Sequence, residues 1–239
     1  MRKRIKIKIL KSIVDIISIN EASNKIVYWA SRKESKCISI TNTHVVVNAW
    51  LNPNYRKIIN SSDLSLADGA PLAYIIRLNG FNDQIRVTGP DLLEKVLPIL
   101  AKKDLTIFFY GSTNKILKII SKKIKKWYPK AKIFYKSPPY RDLTEQEDYE
   151  IEKRINEINP HIIFVGLGCP KQDIWISKKK EKIDSVFIGI GAAFDFYTGN
   201  IKRAPIYMQK NGLEWLYRLY KEPNRLWKRY LITNLLFHM

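Results

Sequence analysis

Apolar residues in this chain form two alternating kinds of run. Short β-rich stretches at Cys37 to Thr41, Leu64 to Ala67, Leu105 to Tyr110, Lys132 to Tyr135, Ile162 to Val165 and Ser185 to Ile190 predict strands. Between them, helical periodicity covers Glu21 to Arg32, Pro71 to Arg77, Asp91 to Lys102, Lys115 to Trp127, Glu145 to Asn159 and Asp173 to Lys180. Strands alternating with helices predict βαβ units, hence an α/β fold with a mostly parallel sheet and helices on both faces. Ile107-Phe108-Phe109 and Ile162-Ile163-Phe164-Val165 are continuously apolar, as strands buried on both sides should be.

The pattern changes near Gly199. No strand is predicted beyond it, and two helical stretches follow, Leu213 to Lys221 and Asn224 to Phe237, with Pro223 between them. The expected organisation is a core over 1–199 and a helical appendage over 200–239. The appendage holds eight Lys/Arg and two Glu among Trp215, Trp227, Tyr207, Tyr217, Tyr220, Tyr230 and Phe237. Cations mixed with aromatics on amphipathic helices suit a membrane interface. An ordinary helix pair packed on the core has the same composition.

Composition narrows the chemistry. Of 239 residues, 46% are hydrophobic and 27% charged, enough for a packed core. No apolar run is long enough to span a bilayer, and the lysine-interrupted start does not look like a secretory signal, so a cytoplasmic location is expected. Two cysteines and three histidines, without ligand spacing, argue against a zinc site built by the protein. The net charge of +20 favours phosphate-bearing partners, although lysine-rich coding accounts for part of it.

In an open parallel sheet, ligands bind beyond the carboxyl ends of the strands. The first predicted strand is followed by Thr41-Asn42-Thr43-His44, whose side chains can meet a ligand or cap a helix. The second is followed by Asp68-Gly69-Ala70-Pro71, where Asp68 is either a general base or a helix cap. Arg86 can pair with a phosphate or a sugar carboxylate, whereas Asp91 looks like a helix-start residue. Tyr110-Gly111-Ser112-Thr113 forms a strand–glycine–helix junction suited to a phosphate or ribose. Gly166-Leu167-Gly168-Cys169-Pro170-Lys171-Gln172-Asp173 permits close ligand approach, with Lys171 available to a diphosphate or simply solvated. Asp195 follows the last strand, as a ligand-binding or loop-holding residue. No nucleophile elbow or Walker-type loop is present.

Taken in order, Leu66-Ala67-Asp68-Gly69-Ala70-Pro71-Leu72, Arg86-Val87-Thr88-Gly89-Pro90-Asp91-Leu92, Phe109-Tyr110-Gly111-Ser112, Gly166 to Asp173, Gly189-Ile190-Gly191-Ala192-Ala193-Phe194-Asp195, Arg203-Ala204-Pro205 and the tail from Gly212 to Arg225 resemble the WecG/TagA/CpsF family of bacterial glycosyltransferases. The resemblance implies a Rossmann-like core and an inverting, metal-independent transfer with no cofactor. Its donor is a UDP-sugar, often N-acetylmannosamine or its uronic acid. Its acceptor is a sugar on polyprenyl diphosphate. It implies Asp68 as the base, Asn42 beside the active site, and Arg86 and Gln172 in the donor pocket. It further implies an appendage that closes over the site and carries arginines to the leaving diphosphate, here Arg218 and Arg225, with Arg203 and Arg229 as further candidates. The sequence departs from the family pattern at Ile40, where threonine is common, at Asp173, in place of glutamate, and at Cys169.

The expected partners are therefore the UDP-sugar donor, the polyprenyl-linked acceptor and an anionic membrane surface on the cytoplasmic side, peripherally bound; a homo-oligomer stays open. The rival readings are transfer of a neutral hexose such as glucose, a basic nucleic-acid-binding protein and a nicotinamide-dependent dehydrogenase. No nucleic-acid module is recognisable, and the third glycine of the dinucleotide fingerprint is missing.

Overall fold

The computed structural model describes residues 4–238. The strands are β1 (Lys6–Ile9), β2 (Ser12–Asp15), β3 (Lys36–Thr41), β4 (Leu64–Ala67), β5 (Ile107–Gly111), β6 (Ile133–Lys136), β7 (Ile162–Gly166) and β8 (Val186–Gly189). The helices are α1 (Ile19–Ser31), α2 (Thr43–Leu51), α3 (Pro53–Asn60), α4 (Ala70–Leu78), α5 (Gly89–Lys102), α6 (Asn114–Trp127), α7 (Glu145–Ile158), α8 (Lys171–Lys179), α9 (Ala193–Thr198), α10 (Ile206–Lys210), α11 (Glu214–Lys221) and α12 (Pro223–His238). The strands form one sheet in the order β1-β2-β4-β3-β8-β7-β5-β6, parallel except for the β1–β2 hairpin. This is the expected α/β architecture, ending in helices.

Alternation along the central strands divides the core. Ile107 and Phe109 of β5 face one layer with α1, α5, α6 and α9, where Phe109 meets Phe164 and Phe194. Phe108 and Tyr110 face the other, where α7 and α8 pack and Tyr110 stacks on Trp175 at 4.4 Å. Both faces are apolar because both are covered.

Several elements differ from the sequence reading. The β1–β2 hairpin was not expected. Its turn places Leu10 and Lys11 at φ 44 and 68, a conformation usually signalled by Asn or Gly. Residues 43–60 also fold as α2 and α3. The β-branched run Val45-Val46-Val47 disfavours helix locally, yet Asn42 caps α2 and all three valines are buried. Asn52 caps α3, with Pro53 in the first turn. The short α9 and α10 were not expected either.

The chain turns back after β4. The next strand, β5, lies beyond β3, β8 and β7. Such a reversal opens a crevice at the carboxyl ends of the strands on either side.

Candidate active site

The Asp68 N–H donates to the Thr41 carbonyl at 2.8 Å, which extends the ladder one residue past β4. Asp68 is thereby fixed at the sheet edge. Gly69, at φ 92, turns the chain and occupies the N-cap position of α4, and no side chain caps that helix. The capping role open to Asp68 in the sequence is therefore not the one it has. The Ala67 carbonyl accepts from the Val87 N–H at 2.8 Å, bringing Arg86 alongside. Asn42 completes the group. Its Oδ1 accepts from the Val45 N–H at 3.2 Å, which leaves its NH2 to hydrogen-bond the Asp68 carboxylate.

These residues open into a cleft of about 240 Å³ whose far wall is the appendage, including Glu214, Trp215, Arg218, Arg229 and Tyr230. Burial pushes the Asp68 carboxyl up to about 6; the charge of Glu214 adds to this, while Arg86, Arg218 and the Asn42 hydrogen bond oppose it. A carboxyl tuned this way is mostly ionised at neutral pH yet basic enough to take a proton. His44 is pulled down to about 4 by burial and by Arg229, so it is neutral there.

The candidate arginines differ in what they engage, and of the five Arg86, Arg218 and Arg229 line the cleft while Arg203 and Arg225 do not. Arg86 donates to Glu214 at 2.6 Å and to Gln209 at 3.3 Å, tying the core to α10 and α11. Arg203 is paired with Asp91 at 2.5 Å, beside the α5 N-terminus that Thr88 caps. Arg225 is paired with Glu222 at 2.5 Å and half exposed. Arg218 and Arg229 have no carboxylate partner among the described residues, and the Nε atom of each is buried without a hydrogen bond. Arg218 lies over the Phe196 ring. Burial lowers the pKa of Arg229, and Arg218 and Arg225 add to the shift.

A second group gathers around Gln172, at the ends of β7 and β8. Its Oε1 accepts from both the Gly168 N–H, at 3.2 Å, and the Gly191 N–H, at 3.0 Å. Gly111 and Gly166 belong to the same edge, where a Cβ on Gly111 would lie 2.5 Å from the Gly166 oxygen. Ser112 donates its N–H to that oxygen, at 3.1 Å. Asp195 accepts from Asn200 and so holds its own loop. Lys171 is exposed against Asp142, and Thr41 is fully buried with its hydroxyl 2.7 Å from that of Ser65. None of these residues lines the cleft of Asp68.

The model of the Glycosyl transferase WecG/TagA/CpsF family matches residues 7–239. The chain belongs to this family of glycosyltransferases. The protein of Bacillus subtilis (strain 168) named N-acetylglucosaminyldiphosphoundecaprenol N-acetyl-beta-D-mannosaminyltransferase is 34% identical over 205 residues, 85% of this chain and 78% of its own. Proteins with the same name from Bacillus spizizenii (strain ATCC 23059 / NRRL B-14472 / W23) and Staphylococcus aureus (strain MW2) are 32% and 29% identical, over 77% of their own lengths in each case.

Glu214 was not singled out in the sequence, yet its charge adds to the upward shift of Asp68 and it holds Arg86. Being one of two carboxylates in a basic stretch was its only signal. Among the described residues no group of three or more His, Cys, Asp or Glu could hold a metal, and no helix is long and apolar enough to cross a membrane.

Proposed function

We propose that the protein transfers N-acetylmannosamine from its UDP-sugar to N-acetylglucosamine carried on polyprenyl diphosphate, with inversion, in cell-wall polymer synthesis. The acceptor oxygen attacks the anomeric carbon, its proton passes to the Asp68 carboxylate, and the bond to UDP breaks as UDP leaves. Asn42 orients the carboxylate. Arg218 and Arg229 meet the charge that builds on the departing diphosphate, a task fixed cations perform in a water-poor cleft. In this reading no metal is needed, and the nucleotide lies towards the edge around Gly111, Gly168 and Gln172. The appendage, 200–239, closes the site and meets the cytoplasmic face of the membrane peripherally.

One observation carries the reading: a carboxyl held at a strand tip with a pKa of about 6 faces two guanidiniums that have no carboxylate partner. The relatives' names supply the sugar and the carrier. The test is a screen of UDP-sugars, UDP-N-acetylmannosamine and UDP-glucose among them, against a synthetic polyprenyl-diphosphate-N-acetylglucosamine, with and without EDTA. Transfer of N-acetylmannosamine, insensitive to EDTA, is expected. Transfer of glucose alone would replace the donor, and loss with EDTA would end the metal-free mechanism.

A further inference from the structure

Positive charge is unevenly placed in this chain. Residues 105–140 contain nine lysines and no Asp or Glu. The next helix, α7, is rich in acids, so lysine-rich coding alone does not produce the contrast. All nine lysines are exposed. Six lie on α6, whose opposite side buries Ile116, Leu117, Ile120 and Ile124 in the core. Lys115, Lys118, Lys122, Lys125 and Lys126 form no ion pair among the described residues; Lys123 turns back to the Tyr197 carbonyl. Ile119 and Trp127 are exposed on the same helix, Trp127 at 74%.

The appendage is organised differently. Arg203 and Arg225 are paired with carboxylates, and Arg218 and Arg229 line the cleft. Its four arginines are thus committed to carboxylates or to the cleft; its exposed lysines, Lys202, Lys210, Lys221 and Lys228, are fewer than those of α6 and are scattered along 200–239, while the six of α6 share one helix.

We infer that the lysine face of α6 is a docking surface for an anionic lipid bilayer. The choice of a bilayer rests on the proposed lipid-linked acceptor and on the charge itself. Lysine is a compact point charge that suits the diffuse field of headgroups, whereas arginine, absent from 105–140, is the side chain that grips individual phosphates in a fork. Trp127 and Ile119 at the rim suit the headgroup boundary. Nucleic acid offers charge too, but α6 itself carries a single exposed aromatic, Trp127, and the other exposed rings of the stretch, Phe134 and Tyr140, lie off that helix.

The test is co-sedimentation of the full chain with vesicles of phosphatidylcholine alone or mixed with phosphatidylglycerol, at low and high salt. Wild type is expected to bind only the anionic vesicles, and less as salt rises. Combining Lys118→Glu, Lys122→Glu, Lys125→Glu and Lys126→Glu should weaken binding by about fivefold or more per lysine. The four Lys→Gln changes should have a smaller effect in the same direction. Transfer to a short, water-soluble acceptor should be unchanged in both variants. Unaltered vesicle binding by the Glu variant, equal binding to neutral vesicles, or tighter lysine-dependent binding to a mixed-sequence RNA would each overturn the surface. The two proposals fail separately. An inactive wild type with lysine-dependent vesicle binding upholds the surface and ends the function; an active wild type indifferent to anionic lipid does the reverse.

Discussion

Asp68 and Asp173 make an instructive pair. Asp68 stands directly after β4 and Asp173 in the first turn of α8, the helix that follows β7, and burial pushes each carboxyl up to about 6. Their surroundings then diverge. Asp68 borders the cleft, with guanidiniums around it and only a side-chain amide bonded to it. Asp173 is sealed between α3 and α8, where the Tyr55 hydroxyl donates to it at 2.7 Å and also lies 3.1 Å from the Cys169 thiol. That thiol is raised to about 12 by burial, and the Tyr55 hydroxyl is pushed above its ordinary range. A shifted carboxyl signals chemistry where a substrate can reach it and structure where it cannot.

Removing the Asp68 carboxylate is the strongest way to break this comparison. Asp68→Asn should lower transfer by about 10²–10⁴-fold, the usual worth of a general base, while calorimetry shows UDP binding retained. Near-normal turnover would remove the base from Asp68. Next in size, Arg218→Ala or Arg229→Ala should each cost about 10²–10³ in kcat with the fold intact, as loss of a charge-stabilising donor does. A change confined to KM would assign them to ground-state binding.

The pH profile sharpens the contrast further. Transfer should fall about tenfold per unit below pH 6 as Asp68 protonates, and level off above neutrality. Stability should move the opposite way. Both carboxyls hold a proton in the folded state to higher pH than the reference value of 3.8. Their contribution is therefore fully present below about 4 and is lost as pH rises through about 6. Thermal midpoints of Asp68→Asn should accordingly decline less over that interval than those of wild type; parallel curves would contradict the shift. The smallest effect on activity belongs to Tyr55→Phe. It should cost about 1–3 kcal/mol of stability by leaving a buried carboxyl without its donor, with kcat/KM changed only a few-fold. Chemical denaturation beside steady-state kinetics separates the two outcomes.

The parallel core was legible because buried strands and amphipathic helices carry their periods openly; the β5 and β7 runs are examples. The hairpin was hidden by Leu10 and Lys11 in a turn that usually advertises itself with glycine or asparagine. The α2 helix was hidden because its valines argue locally for strand, and only its tertiary setting overrides them. At the site, Asp68 and Asn42 were visible as polar residues following strands. The pairing of Arg86 with Glu214 was not, because 128 residues separate them and only the folded appendage brings them together.

The Gln172 side chain has a consequence for how two turns of the sheet edge move. One carboxamide oxygen receives two peptide N–H groups from turns that follow neighbouring strands. Rotating either peptide strains the bond to the other, so the two turns are mechanically joined. A displacement of one turn is therefore passed to the other through a single side chain.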